Sequence, residues 1–234
     1  MRSDEPEAYQ VGWIPFLGLT IYLDSRPLIP RPETEWWAEQ LCEEMGCVTK
    51  KVWPAPDGRP EDFLRGVPRL RALDLCAGSG AIGCALLKQV PHAQVYFGEI
   101  DPAHEATIGK NIRENHLDSS RAEVRIGDLF EPFAGMQFDF IAANPPYVPT
   151  GRELPASVVD YEPALALRAG LDGLAVLRRI AEGLPRHLKA GGVAWVECDS
   201  EYAEEARALF AAGGLKATVR RDQYDRPRII VVSF

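Results

Sequence analysis

Short hydrophobic runs alternate with helical patterns over most of the chain. This regular alternation is typical of βαβ units, in which the strands form a parallel sheet and the helices cover its two faces. The strand-like runs lie at 71–75, 94–98, 124–126, 138–142 and 193–196, and the helical patterns at 81–90, 102–116, 172–189 and 201–212.

The two ends of the chain depart from this alternation. Two strand-like runs, 215–220 and 228–232, are joined by a turn without a helix, which predicts an antiparallel edge at the C-terminus. Near the start, 19–23 alternates like one strand of a short β-hairpin, and a helix-like stretch begins at Glu33 and continues to about Met45.

These patterns predict three parts of the chain. Residues 1–47 form a hairpin-and-helix lead-in, and residues 48–69 form a surface connection in which prolines and glycines interrupt any periodic pattern. Residues 70–234 form the main α/β domain. The composition is that of a globular protein, with 46% hydrophobic and 26% charged residues in 234.

Charge and cysteine content exclude several classes of protein. The net charge of -8 and the pI of 5.1 argue against broad binding to a phosphate backbone. The apolar runs fall far below the roughly 20 residues that a membrane helix needs. Five cysteines without a CxxC pair, and four scattered histidines, indicate a reducing compartment and no metal site.

A ligand site is predicted where the first three strands of the main domain end. The loop 74–80 (Asp-Leu-Cys-Ala-Gly-Ser-Gly) joins a strand to a helix, where small residues allow a ligand to approach the backbone, although such turns also serve only to reverse the chain. Glu99 ends the next strand and can accept bonds from both ribose hydroxyls. Asp101 before Pro102 is an N-cap rather than a ligand. Asp128 is either an adenine contact or a solvated turn residue.

The most specific motif follows the fourth strand and reads Asn144-Pro145-Pro146-Tyr147. The Asn144 side-chain oxygen and the Pro145 carbonyl can accept both hydrogens of a planar NH2 group and orient its nitrogen toward an electrophile. Tyr147 can pack on the same group. The alternative is a turn in which Asn144 caps and the prolines end a strand. Because nucleoside features precede the motif on the neighbouring strands, binding of an NH2 group is the better interpretation.

Together these residues resemble the class I S-adenosylmethionine methyltransferases that act on NH2 groups and carry an (N/D)PP(Y/F/W) motif. Residues 27–35 (Pro-Leu-Ile-Pro-Arg-Pro-Glu-Thr-Glu) are similar to the LIPRPETE signature of the HemK/PrmC family, the protein-(glutamine-N5) methyltransferases of peptide-chain release factors. The resemblance extends through 161–167, Gly173 and 226–228, and covers nearly the whole chain from about Ala8.

The resemblance implies an α/β fold with a doubly wound, mostly parallel, seven-stranded Rossmann-like sheet and an antiparallel C-terminal hairpin strand. It implies methyl transfer from S-adenosylmethionine, leaving S-adenosylhomocysteine, to the glutamine amide nitrogen of a Gly-Gly-Gln motif in a class I release factor. It also implies a set of site residues. Cofactor binding is expected from Asp74, Cys76, Ala77, Gly78, Ser79, Gly80, Glu99, Asp128, Leu129 and Asn144, catalysis from Asn144, Pro145, Pro146 and Tyr147, and substrate binding from these four with Arg31, Pro32, Glu33 and Thr34.

Two departures from the family pattern accompany the resemblance. Cys76 stands where the cofactor loop usually has a glycine, and the sequence begins where an N-terminal helical domain that engages the release factor would end. We expect a monomer in the cytoplasm, or alternatively in the mitochondrial matrix, with no stable binding to nucleic acid or membranes.

Three other functions compete for the same residues. An adenine-N6 methyltransferase acting on DNA or RNA would use the same motif, and the arginines at 220, 221, 226 and 228 are the one basic cluster that could support it. A non-catalytic nucleoside-binding module is disfavoured by the intact Asn-Pro-Pro-Tyr motif. An NAD-dependent oxidoreductase is disfavoured because the loop at 78–80 lacks a third glycine spaced for a pyrophosphate.

Overall fold

The structure is a computed structural model that describes residues 4–52 and 69–234. The strands in these residues are β1 Trp13–Phe16, β2 Leu19–Tyr22, β3 Leu70–Leu75, β4 Ala93–Glu99, β5 Ala122–Ile126, β6 Phe138–Ala143, β7 Leu188–Glu197, β8 Lys216–Arg221 and β9 Pro227–Ser233. The α-helices are α1 Glu7–Val11, α2 Pro32–Val52, α3 Ala81–Gln89, α4 Glu105–Glu114, α5 Ala156–Val159, α6 Ala164–Leu167, α7 Ala175–His187 and α8 Ala203–Ala212.

The main sheet of the described residues has seven strands in the order β5-β4-β3-β6-β7-β9-β8. Strands β3 to β7 run parallel to one another, and Leu73 at the centre of β3 lies opposite Tyr96 of β4 and Ile141 of β6. Strand β9 runs antiparallel to both β7 and β8. The predicted fold, a doubly wound and mostly parallel sheet with an antiparallel C-terminal hairpin, is confirmed.

The strand order places a crevice at one edge of the sheet. From β3 the chain continues to β4 and β5 on one side, and β6 and β7 lie on the other side. The loops that follow β3 and β6 therefore diverge, which is where doubly wound folds bind ligands. Cys76 follows β3, Glu99 ends β4, Gly127 follows β5, Asn144 follows β6 and Glu197 ends β7.

Each face of the sheet carries its own buried core, as a doubly wound sheet requires. One core contains the N-terminal hairpin with α2, α3 and α4, and includes the fully buried Trp37 and Val95. The other core lies under α7 and α8 and includes Leu184 and Phe210. Trp37 of α2 stacks on Trp195 of β7 with ring centroids 6.4 Å apart. The N-terminal residues thus share a core with the main sheet.

Two asparagines attach the N-terminal hairpin to α4. The Asn111 side chain accepts a bond from the Tyr22 backbone N–H at 2.7 Å and donates to its carbonyl at 3.1 Å. Asn115 makes the same pair of bonds with Thr20, at 2.9 Å and 2.8 Å. These amides satisfy the edge of β2, which an open hairpin would expose. The chain that leaves β2 is thereby held near the crevice.

Several element boundaries differ from the predictions. Helix α2 begins at Pro32 and continues to Val52, beyond the predicted end near Met45 and into the predicted connection. The rest of that connection, residues 53–68, lies outside the described residues. The predicted helix at 102–116 begins with a separate 3₁₀ turn, and Asp101 caps that turn as predicted, accepting a bond from the Ala103 N–H at 2.9 Å. Strand β1 and helices α1, α5 and α6 were not located from sequence.

None of the described helices combines the length and apolar character needed to cross a membrane.

Candidate active site

A cavity of about 170 Å³ opens at the carboxyl edge of β3 to β6. Seven residues that the sequence predicts for the site line this cavity, and they come from four separate loops. They are Cys76, Gly78, Glu99, Asp128, Leu129, Asn144 and Pro146. The wall also contains residues that were not predicted, among them Leu28, Ile100, His104 and Arg179.

Backbone N–H groups on two sides hold the Glu99 carboxylate in place. One oxygen accepts a bond from the Gly78 N–H at 2.7 Å, and the other accepts from Ile100 and Asp101 at 2.9 Å each. Gly78 can present its N–H because it adopts a left-handed conformation with φ of 55°. The oxygen that accepts from Ile100 and Asp101 has both lone pairs engaged, whereas the oxygen bonded to Gly78 retains one, so Glu99 can still accept a bond from a ligand hydroxyl.

Cys76 occupies the first position of the cofactor loop in a left-handed conformation, with φ of 61°. This conformation is ordinarily that of a glycine, because a side chain crowds the following carbonyl. Burial raises the pKa of the Cys76 thiol, and the nearby carboxylates of Glu99 and Asp74 raise it further. The thiol is therefore neutral and contributes a small, uncharged surface to the cavity.

Four other predicted cofactor residues do not line the cavity: Asp74, Ala77, Ser79 and Gly80. The Asp74 carboxylate is fully buried and accepts a bond from the Gly83 N–H of α3 at 2.8 Å. A Cβ on Gly80 would lie 3.1 Å from Ile108, so a larger residue would press on the core. These residues hold the loop against α3 and the sheet from behind.

Asp128 and Leu129 form the end of the cavity that lies against α7. The Asp128 carboxylate accepts a bond from the Arg179 guanidinium at 2.7 Å, and half of the Arg179 side chain is exposed. Leu129 presents an apolar side chain from a left-handed backbone with φ of 48°. An acidic acceptor beside an apolar wall suits a flat heterocycle with an exocyclic amine.

The Asn-Pro-Pro-Tyr segment is held by hydrogen bonds to side chains from distant elements. Asn144 donates through Nδ2 to the Thr34 hydroxyl at 3.2 Å, whereas its Oδ1 is buried and has no partner among the described residues. Tyr147 donates its hydroxyl proton to Glu197 at 3.0 Å. Burial raises the pKa of Tyr147 well above its ordinary value, and the nearby Glu197 carboxylate raises it further.

A second cavity, of about 310 Å³, adjoins the first. Leu28, Asn144 and Ala166 line both cavities, so Asn144 lies where the two meet. The second cavity also contains Pro145 and Tyr147 of the motif. Its charged residues are Arg31, Arg152, Arg228, Asp199 and Glu201.

Of the predicted group 31–34, Arg31 alone lines either of these two cavities. Its guanidinium donates to the buried Glu162 carboxylate at 2.5 Å, and the same carboxylate accepts from the Ile29 N–H at 3.2 Å. Pro32 begins α2, and Glu33 pairs with Arg226 at 2.6 Å. The signature segment is thus fixed to the loop that contains Glu162.

The predicted basic cluster is paired with acidic side chains. This arrangement leaves little unpaired positive charge for a phosphate backbone. Arg220 pairs with Glu44, Arg221 with Asp225, Arg226 with Glu33 and Asp222, and Arg228 with Asp222.

Sequence reasoning missed several residues of the site. Glu197 had a usable signal, since an acidic residue directly follows the strand predicted at 193–196. Arg152 and Arg179 had none, because their positions depend on how a loop and a helix fold back over the sheet. No group of three or more His, Cys, Asp or Glu side chains in residues 4–52 and 69–234 could hold a metal ion.

Comparison with known proteins assigns the class. Residues 63–160 match the methyltransferase small domain family. A T. thermophilus 16S rRNA methyltransferase, solved with AdoMet and guanosine, has a TM-score of 0.57 and 20% identity, over 94% of this chain and 49% of that chain. A methyltransferase from Pyrococcus furiosus has a TM-score of 0.53 and 15% identity, over 83% and 96%. The two structures share the fold, and the family match over residues 63–160 indicates a methyltransferase domain.

More similar relatives identify the family. The release factor glutamine methyltransferase of Chlamydia trachomatis serovar L2 is 34% identical over 230 residues, which are 96% of this chain and 72% of that protein. The protein of the same name from Geobacter sulfurreducens is 36% identical over 213 residues, 90% of this chain and 66% of that protein. The chain belongs to the release factor glutamine methyltransferase family.

Proposed function

We propose that this protein transfers a methyl group from S-adenosylmethionine to the side-chain amide nitrogen of the glutamine in the Gly-Gly-Gln motif of a class I release factor. The observation that carries the proposal is the buried Oδ1 of Asn144, which has no partner among the described residues, on a residue that lines both cavities. A buried acceptor of this kind requires a donor, and the NH2 group of a glutamine provides one. The names of the relatives point to the same substrate.

The chemistry of the first cavity fits a nucleoside without phosphates. Glu99 offers the remaining lone pair of its Gly78-bonded oxygen to a ribose hydroxyl, and Leu28, Ile100 and Leu129 offer apolar contact. The Arg179 charge is already paired with Asp128. When bound, S-adenosylmethionine supplies an electrophilic methyl group, whose bond to sulfur breaks as its bond to the amide nitrogen forms, leaving the electron pair on the thioether of S-adenosylhomocysteine.

Asn144 and Pro145 orient the nucleophile. An amide nitrogen is a poor nucleophile because its lone pair is delocalised into the carbonyl group. Acceptance of its two hydrogens by Asn144 Oδ1 and the Pro145 carbonyl would fix the direction of approach and stabilise the positive charge that grows on nitrogen. The excess proton then passes from the alkylated amide to water. Tyr147, held by Glu197, would cover the amide and exclude other water.

The second cavity is the proposed entrance for the glutamine and the backbone next to it. It contains Asn144, Pro145 and Tyr147 at its inner end, and Arg31 and Arg152 in its wall. In this proposal the partner is a release factor, and the protein acts as a monomer in the cytoplasm. The paired arginines at 220, 221, 226 and 228 favour a protein substrate over a nucleic acid.

A transfer assay with labelled S-adenosylmethionine tests the proposal. The acceptors are a release factor, the same factor with the glutamine of Gly-Gly-Gln replaced by alanine, and single-stranded and duplex DNA and RNA. We expect label only on the unaltered factor. Label that persists on the replaced factor, or that appears only on nucleic acid, would refute the proposed substrate.

The role of the motif is tested with Asn144→Ala. Loss of one preorganised acceptor should lower kcat by about 100-fold or more while the cofactor Kd changes by less than about threefold. Thr150→Ala is a matched control, because Thr150 is exposed, lies six residues further on and lines neither cavity. Equal loss of turnover and of cofactor affinity in Asn144→Ala would contradict a role specific to the methyl acceptor.

A further inference from the structure

Glu197 is a fully buried carboxylate at the carboxyl end of β7, behind the Asn-Pro-Pro-Tyr segment. It lines neither of the two cavities that meet at Asn144. One of its oxygens accepts from the Thr34 hydroxyl and from Trp37 Nε1, each at 2.7 Å, and the other accepts from the Tyr147 hydroxyl at 3.0 Å. Burying a carboxylate costs free energy of desolvation, so a buried carboxylate that accepts from three side chains near a reaction site requires a functional explanation.

The hydrogen-bond chain from Glu197 to Asn144 has a fixed direction. An ionised carboxylate can only accept hydrogen bonds, so the Thr34 hydroxyl donates its only proton to Glu197. Thr34 can then only accept from Asn144, which lies 3.2 Å away through Nδ2. The Asn144 amide is thereby oriented with its NH2 toward Thr34 and its Oδ1 turned away. That Oδ1 is the buried acceptor without a partner among the described residues.

We propose that Glu197 is a positioning residue for methyl transfer, which through Thr34 keeps the Asn144 amide in the one orientation that presents Oδ1 to the NH2 group of the substrate. The inference rests on the proposed function for its kinetic consequences. The hydrogen-bond relay from Glu197 through Thr34 to Asn144 involves only residues of this chain and does not depend on which substrate is methylated. The same carboxylate also accepts a hydrogen bond from Tyr147, so one buried charge positions the side chains at both ends of the motif, Asn144 and Tyr147.

A side chain at position 197 that cannot accept a hydrogen bond would remove the direction of the relay. In Glu197→Leu no acceptor faces Thr34, so the Thr34 proton is free to turn toward Asn144. The Asn144 amide would flip to offer Oδ1 to that proton. Its NH2 would then face the NH2 of the substrate, so two donors would oppose each other and the nucleophile would lose one of its acceptors.

Protonation of Glu197 should weaken the same relay, because a neutral carboxyl accepts from Thr34 less strongly than a carboxylate does. Burial raises the pKa of Glu197, whereas bonds from Trp37, Thr34 and Tyr147 and the charge of Arg228 oppose that rise. The other titratable side chain beside it is the buried thiol of Cys198, whose pKa burial raises to about 12. The acidic limb of the kcat profile should therefore lie above the ordinary range of a glutamate.

The kinetic experiment uses the full chain with a release factor as substrate. Loss of one charge-assisted hydrogen bond should lower kcat by about 10- to 100-fold in Glu197→Leu and in Thr34→Val, with the cofactor Kd within about threefold of wild type. Thr34→Ser keeps the hydroxyl and should retain kcat within about threefold. The double variant of Glu197→Leu and Thr34→Val should lose no more activity than the worse single variant, because both changes break one relay.

Three results would overturn the proposal. They are wild-type kcat in Glu197→Leu, additive losses in the double variant, or an acidic limb in Glu197→Leu that matches that of wild type. Asp139→Asn is the matched control, since Asp139 is a carboxylate near the other end of the sheet that accepts from Arg71 and Lys189. Should Glu197→Leu fail to fold, Thr34→Val decides, because it leaves the carboxylate with two of its donors.

A second measurement tests the relay without any methyl acceptor. In protein labelled with ¹⁵N-asparagine, the Asn144 side-chain NH2 signal is assigned by its loss in Asn144→Asp. We expect Glu197→Leu and Thr34→Val to move this signal, and Thr34→Ser and Asp139→Asn to leave it in place. An unmoved signal in Glu197→Leu would overturn the relay. If the signal moves but wild-type protein does not methylate the release factor, the proposed function fails and the relay stands.

Discussion

Replacing Asp74 with asparagine should stabilise this protein, and by an amount that grows with pH. Asp74 is fully buried, one of its oxygens accepts a bond from the Gly83 N–H at 2.8 Å, and the other has no partner among the described residues. Asparagine has nearly the same shape and retains an oxygen for Gly83. It carries no charge, so it removes the cost of burying a carboxylate.

The size of the effect follows from the pKa of Asp74. Burial raises that pKa from 3.8 to about 8, and the neighbouring Glu99 contributes in the same direction. Between these two values the folded protein holds a proton that the unfolded chain has released. The contribution of Asp74 to the free energy of unfolding is therefore fully present below the pKa that Asp74 has in the unfolded chain. It is lost as pH rises toward the pKa that Asp74 has in the folded protein. At pH 7 the loss is on the order of 4 kcal/mol, and at pH 5 about 1.5 kcal/mol.

Urea unfolding of wild type and Asp74→Asn at about pH 5 and about pH 7 measures this difference. The advantage of the variant should be larger by about 3 kcal/mol at the higher pH, whatever constant offset the new amide adds. An advantage that does not change with pH would refute the reasoning. Because Asp74 does not line the cavity, cofactor affinity should stay within about threefold, and a large loss would return Asp74 to the cofactor-binding role that the sequence predicts.

Three further predictions concern the site. Glu99→Gln should raise the cofactor Kd, measured by calorimetry, by about 10- to 100-fold. The reason is that an amide cannot accept on both sides, as the carboxylate does from Gly78 and from the following loop. An unchanged Kd would show that Glu99 does not belong to the site. Cys76→Gly should change the free energy of unfolding by less than about 1 kcal/mol. Glycine removes the strain of the left-handed conformation at this position, and this gain offsets the greater backbone entropy of glycine in the unfolded chain. A larger loss of stability would show that the thiol packs tightly. Glu162→Gln should raise KM for the release factor by about three- to tenfold without altering the cofactor Kd, because Arg31 loses its ionic partner. Initial rates at varied concentrations of release factor measure this change.

Much of the site follows from local sequence because parallel strands bring their carboxyl ends to one edge. Cys76, Glu99 and Asn144 each follow or end a strand that hydrophobic patterning predicts, so the order of strands along the chain is enough to predict that they lie close together. Asp101 was recognisable as a cap because the signal is contained in two adjacent residues. Asp74 shows the limit of such reasoning, since whether a residue at a strand end faces the crevice or the core depends on the packing of α3.

The sequence by itself determined the fold class, the edge of the sheet that carries the site, the motif for an NH2 group and the family. Those features depend on periodicity and short motifs, which are local. Only the tertiary structure decided that Glu197 and Thr34, 163 positions apart, are joined by a hydrogen bond and thereby orient Asn144. Likewise, only the structure paired Arg31 with Glu162 and neutralised the C-terminal arginines. Hydrogen bonds and ion pairs between distant segments depend on distances of a few ångströms, and the packing of helices against the sheet sets those distances.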